Sequence, residues 1–158
     1  MCYNITLDVI FFGVQCGELI MVKKLYVPAA TGIAAIDNQH AHYYRLINDF
    51  VFLSKNLHVD KAETVKFFSE IIEYTVLHFD TEEFFMRSIN YPDYEKHVKI
   101  HDKFRISIEK RSEELEKVTN ISKFADMFAE WIGAWFATHI TTVDLKLAEY
   151  CKTHNIHG

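Results

Sequence analysis

His78-Phe79-Asp80-Thr81-Glu82-Glu83-Phe84-Phe85-Met86 sets a histidine and a carboxylate four residues apart in a run with helical apolar period. On a helix that spacing stacks His78 and Glu82 on one face, where the stripe should otherwise be hydrophobic. His97 and His101 repeat the i,i+4 arrangement further along the chain. Ile36-Asp37-Asn38-Gln39-His40 lies upstream, and His139-Ile140 followed by Asp144 lies downstream. His40, His78, Glu82, His97, His101, His139 and Asp144 therefore occupy four helical segments, mostly where a buried apolar residue belongs.

The surrounding pattern predicts an all-α fold. A first helix is expected from about Asp37 to Leu57, with Ile33, Ile36, His40, Tyr43, Ile47 and Phe50 recurring at threes and fours. Asp60-Lys61-Ala62-Glu63 reads as a capping box that opens a second helix reaching about Ser88. Its expected face carries Phe67, Ile71, Tyr74, His78, Glu82 and Phe85. Asn90-Tyr91-Pro92 stops it, because a residue before proline avoids the helical region while proline suits the next first turn. A third helix from about Pro92 to Val118 aligns Tyr94, His97, His101, Phe104, Ile108 and Leu115. Asn120 caps a fourth, reaching about Lys152, that aligns Phe124, Phe128, Trp131, Trp135 and His139. Short breaks between long helices make neighbours antiparallel, which gives an up-down-up-down four-helix bundle.

Composition agrees. The 158 residues suit one domain with a real core, and 49% of them are hydrophobic. Five glycines and two prolines are too few for a turn-rich β fold. A net charge of −5 without a basic cluster argues against a nucleic-acid partner. No apolar run reaches the ~18 residues of a membrane span. Cys2, Cys16 and Cys151 form no CxxC pair, and so sparse a set suits a reducing cytoplasm. Cys151 reads as an ordinary helix residue. Residues 1–20 lack Lys and Arg, so they do not read as a signal peptide. Met21-Val22-Lys23-Lys24 looks like a natural start, which makes 1–20 an expected over-extension and 21–158 the bundle.

A single histidine on an apolar face usually bonds a carbonyl or a neighbouring side chain. Seven buried polar groups are different. Left unpaired at ~1–3 kcal/mol each, they would cost on the order of 10 kcal/mol, as much as a domain's whole stability. A shared metal centre resolves this. Imidazole with carboxylate suits iron or zinc rather than calcium or magnesium. A structural zinc closes at four ligands and leaves three residues over. Ferritin-like sites use Glu-x-x-His, and no histidine of the set has Glu three residues before it. His42, His58, His154 and His157 fall off the stripe or outside the helices and read as solvated.

In order and spacing, the seven residues closely resemble the hemerythrin family of non-haem di-iron proteins, over roughly Gly32 to Tyr150. The match of His139 with Asp144 rests on that resemblance alone, since an ideal helix sets residues five apart about 140° around its axis. The resemblance implies two iron ions with a bridging oxo or hydroxo group. His97, His101 and His139 would serve the filled iron, His40 and His78 the iron with an open position, and Glu82 and Asp144 would bridge. It implies dioxygen as ligand, reversible binding for storage or delivery rather than catalysis, and a monomer or weak homo-oligomer. Phe79, Trp135, Phe136 and Ile140, with Phe85 beside them, would wall a dry oxygen pocket.

The chain departs from the family in places. Leu is common three residues before the fourth-helix histidine, where Phe136 stands, and three after the first-helix histidine, where Tyr43 stands. A family Trp near the N-terminus is absent, Tyr26 being the nearest aromatic. No ligand is lost. Two other functions fit the same site: a sensor or scavenger of oxygen, nitric oxide or redox state, and a di-iron peroxide or nitric oxide reductase. The reductase needs a proton path, for which no further acid pair is evident.

Overall fold

A computed structural model describes residues 30–56 and 60–156. The expected over-extension at 1–20, with Tyr26, His58 and His157, lies outside the described residues. Helices α1 (Ala34–Asn56), α2 (Lys61–Ser88), α3 (Tyr94–Lys117) and α4 (Ile121–His139) form the bundle, and α4 continues through a π-helical turn (Ile140–Asp144) into α5 (Leu145–Thr153). Among the described residues there is no strand. The antiparallel up-down-up-down bundle expected from the sequence is the fold found. Helix α1 packs on α2 and α4, α2 on α3, and α3 on α4, which closes the ring. No helix among the described residues is long and apolar enough to cross a membrane.

Local chemistry sets the helix ends. Gly32 takes a left-handed φ of 79° just before α1, and Asp37 draws that approach in by accepting from Thr31 N–H at 2.7 Å and Gly32 N–H at 3.0 Å. α1 consequently starts three residues earlier than the periodicity indicated. The capping box at α2 is present: Asp60 accepts from Glu63 N–H at 2.8 Å while Glu63 accepts from Asp60 N–H at 3.3 Å. Asn90 takes a φ of 53° after α2, and Tyr91 N–H reaches back to the Met86 carbonyl at 2.9 Å, a left-handed helix stop. Asn120 caps α4 by accepting from Lys123 N–H at 3.0 Å.

The buried stripe of α1 is the one expected, from Ile33 through Phe50. That of α2 is rotated. Thr64, Phe68, Ile71, Thr75, His78, Phe79, Glu82 and Met86 face the core, while Phe67, Tyr74 and Phe85 are only half-buried. Buried threonines hide this face from a search for apolar residues. Thr64 and Thr75 donate to the carbonyls of Asp60 and Ile71, which lets a hydroxyl enter the core without an orphan group.

Two apolar clusters fill the bundle. The larger contains Tyr43, Phe50, Phe68, Phe79, Phe104, Phe128, Phe136 and Ile140, and the smaller holds Ile33, Ile36, Met86, Tyr91, Leu147 and Cys151. Along each helix the metal-competent residues fall between members of the two. On α1, for example, His40 lies between Ile36 and Tyr43. A polar layer is thus sealed between two hydrophobic plugs. Cys151 is a buried free thiol in the smaller plug, and Phe85 packs there too rather than against the polar layer.

Candidate metal centre

The polar layer is where all seven residues meet. His40, His78, Glu82, His101 and Asp144 have no exposed surface, and His97 and His139 are 2% exposed. Their donor atoms gather in two groups, Glu82 with His97, His101 and His139, and His40 with His78 and Asp144. The carboxylates span both groups. Asp144 Oδ1 lies 3.0 Å from His139 Nε2 and 3.3 Å from His97 Nε2, while its Oδ2 lies 3.3 Å from His40 Nε2. Glu82 Oε2 lies 3.4 Å from His97 and His101 Nε2 and 3.9 Å from His78 Nε2.

His139 and Asp144 share this face because the helix changes pitch between them. In the π-turn Leu145 N–H bonds the Ile140 carbonyl, an i→i+5 link that brings residues five apart into line. Thr138, Thr141 and Thr142 donate to the carbonyls of Ala134, Ala137 and Thr138 at 2.7–2.9 Å. Such back-bonding bends helices and supports the irregular turn. That run of threonines is the signal in the sequence for a turn that the 3.6-residue period cannot represent.

The donor set asks for cations. Both nitrogens of His40, Nε2 of His78, Nδ1 of His97 and His139, and all four carboxylate oxygens of Glu82 and Asp144 are buried without a hydrogen-bond partner. His101 Nε2 faces His139 Nε2 at 3.1 Å. His101 Nδ1 meets the Glu83 carboxylate at 2.9 Å and so carries the ring's proton, which leaves Nε2 a bare lone pair. Lone pairs this close repel unless a cation or proton lies between them.

The charges are correspondingly displaced. Burial opposes ionisation of Glu82 and Asp144, and Asp144 further opposes it at Glu82, yet the imidazoles of His101, His139 and His97 around Glu82, and of His139, His40 and His97 around Asp144, hold both carboxyls well below the usual range. Burial also opposes a charge on His97, but Asp144 and Glu82 raise it to about 9. His139 is raised by the same two carboxylates against its own burial. At His78 burial wins and lowers it to about 3. The residues fit metal ions, which supply the positive charge that these protons otherwise supply only in part.

Aromatic rings close around the layer. Phe79 stacks on His101 with centroids 3.8 Å apart, and Trp135 stacks on His139 at 4.7 Å. Phe136 is fully buried, 5.3 Å from the His78 ring and edge-on to His40 at 5.9 Å. Ile140 is fully buried as well. Tyr43 stacks on Phe136 at 3.7 Å. Its hydroxyl finds Thr75 Oγ1 at 2.9 Å rather than solvent.

The family model for the hemerythrin HHE cation binding domain matches residues 31–151. The chain belongs to the hemerythrin family. It is 25% identical over 123 residues to a bacteriohemerythrin of Stenotrophomonas maltophilia, covering 78% of this chain and 77% of that one. A bacteriohemerythrin of Clostridium acetobutylicum is 29% identical over 116 residues, 72% of this chain and 88% of its own. One from Pseudomonas aeruginosa is 30% identical over 115 residues, covering 72% and 71%. A crystal structure of a hemerythrin leucine-to-tyrosine mutant superposes with a TM-score of 0.70 at 21% identity, covering 82% of this chain and 97% of that one. At that identity it supports the hemerythrin fold. Family membership and the His/carboxylate cluster together make the polar layer a metal-binding site.

Of the four histidines expected to be solvated, His154 is exposed and His42 is half-buried. The His42 ring lies 4.4 Å from that of Tyr74, away from the metal layer. Two polar residues that touch the layer escaped the sequence pattern. Glu83 reaches His101, and Gln39 Oε1 lies 3.2 Å from His78 Nδ1. Each directly adjoins a stripe residue, Glu82 or His40, and bonds across to another helix, so helical spacing gives no sign of it.

Proposed function

We propose that this hemerythrin binds dioxygen reversibly at a pair of non-haem irons, with His97, His101 and His139 on one ion and His40 and His78 on the other. Glu82 and Asp144 are shared between them. The observation that carries this is Asp144, whose two oxygens face imidazoles of opposite groups at 3.0–3.3 Å. The iron pair, when bound, supplies the reversible electron donation that holding dioxygen requires. The protein's own residues keep that chemistry from running on. Phe79, Phe136 and Ile140, all fully buried, exclude water and the protons it carries. Trp135 covers one face of the His139 ring. Tyr43 gives up no proton. Thr75 uses its hydrogen on the Ile71 carbonyl, so Tyr43 must donate to Thr75, and burial pushes its hydroxyl far above the usual tyrosine range.

The test is an optical spectrum of the iron-loaded protein under air, then under nitrogen, then under air again. Reversible oxygen-dependent bands are expected, and a spectrum indifferent to oxygen contradicts the proposal.

Phe136→Leu has a directional outcome. Phe136 is the phenyl ring that lies against both His40 and His78, on the side assigned the open position. Shortening it should speed oxygen association and azide entry to the oxidised site by severalfold, and hasten autoxidation as water follows. Stopped-flow mixing reads both rates. Unchanged rates with intact iron content would make Phe136 core packing alone.

A further inference from the structure

The two halves of the centre are gripped from outside by unlike groups. His40, His97 and His139 each have a buried Nδ1 without a hydrogen-bond partner, whereas His101 and His78 have partnered ones. The partner of His101 is an anion. Glu83 Oε1 accepts from His101 Nδ1 at 2.9 Å and from an Arg105 N–H at 3.0 Å, so a guanidinium stands behind the carboxylate. Arg105 meets Glu83 at 3.0 Å, Asp102 at 3.0 Å and Asp80 at 3.5 Å. Its guanidinium lies 5.3 Å over the ring of Phe79, which itself stacks on His101. One ionic network thus fixes His101 from its edge and its face.

The partner of His78 is neutral. Thr81 donates to the Leu77 carbonyl at 2.7 Å and so has only a lone pair for Gln39 Nε2 at 3.0 Å. That turns the Gln39 amide oxygen to His78 Nδ1, which donates to it. Both imidazoles therefore present Nε2 to the metal layer, one pushed by a carboxylate and the other by an amide. A carboxylate opposite the N–H makes the ligating nitrogen more basic and fixes its ring.

We propose that Glu83, held by Arg105, and Gln39 are positioning residues that widen the inequality between the two metal positions beyond that of three imidazoles against two. The position formed by Glu82, His97, His101 and His139 keeps its ion more tightly than the position formed by His40, His78 and Asp144. This rests on the iron pair proposed above. Asymmetry in the outer contacts lets one ion stay anchored while its neighbour exchanges.

The experiment uses full-length, iron-loaded protein, whose iron per chain is measured first. Excess ferrous chelator is then added under nitrogen and release is followed by absorbance. Two phases of equal amplitude are expected. Glu83→Gln, which makes the two outer contacts alike, should quicken the slow phase about 10–100-fold, the range that outer-shell partners contribute to metal affinity. The fast phase should not move. Gln39→Ala should act on the fast phase alone. Arg105→Gln should shift the slow phase in the same direction by less, and it carries the test if Glu83→Gln does not fold. In the proton spectrum the exchangeable imidazole N–H signal of His101 should move in Glu83→Gln, a change that general loosening of the bundle does not produce. Release in one phase, or equal quickening of both by Glu83→Gln, overturns the inequality while leaving the iron pair standing. Fewer than two irons at the outset overturns both.

Discussion

Glu82→Ala and Asp144→Ala should each leave the protein with at most one iron per chain, while His42→Ala and His154→Ala keep the full complement. Each carboxylate approaches imidazoles of both donor groups, so its loss takes an anionic contact from both metal positions at once. It also leaves a concentration of ligand positive charge and lone pairs with nothing to balance it in a buried layer. His42 packs on Tyr74 outside the layer and His154 is exposed, so neither loss reaches it. Iron analysis after desalting reads the result, with circular dichroism to establish that all four variants are folded. Equal iron in all four would mean that the carboxylates are not ligands.

Removing the metal should weaken the fold itself. Without cations, the orphan atoms of His40, His78, Glu82, His97, His139 and Asp144 stay buried. Each unsatisfied group costs ~1–3 kcal/mol, and carboxylate–imidazole contacts recover part of that. A net loss of about 5 kcal/mol is a reasonable scale, which for a chain of this size lowers Tm by roughly 10–20 °C. Calorimetry of protein before and after exhaustive chelation, at matched pH and salt, measures the difference. Coincident melts would show that the layer is satisfied without metal.

Much of the fold was legible because its signals are local. Asp60 and Glu63 declared the capping box, Asn120 the start of α4, and Ile33 through Phe50 the buried face of α1. The i,i+4 pairs His78/Glu82 and His97/His101 were legible for the same reason. The rest depends on geometry that one helical period does not carry. His139 and Asp144 align only because Ile140–Asp144 winds as a π-turn. Apolar period turns the face of α2 towards Phe67, Tyr74 and Phe85, whereas the buried face includes Thr64 and Thr75, whose hydroxyls bond their own helix. Glu83 and Gln39 are defined by partners 18 and 39 residues away on neighbouring helices. Such contacts exist only once the bundle has formed.

Iron content of the purified, reconstituted full-length chain, measured by elemental analysis against protein concentration, tests the di-iron centre most directly. Two irons per chain are expected, falling to at most one, with loss of the oxygen-dependent absorption, when Asp144 is replaced by Ala. A folded protein that takes up a single zinc, or no metal, would contradict it.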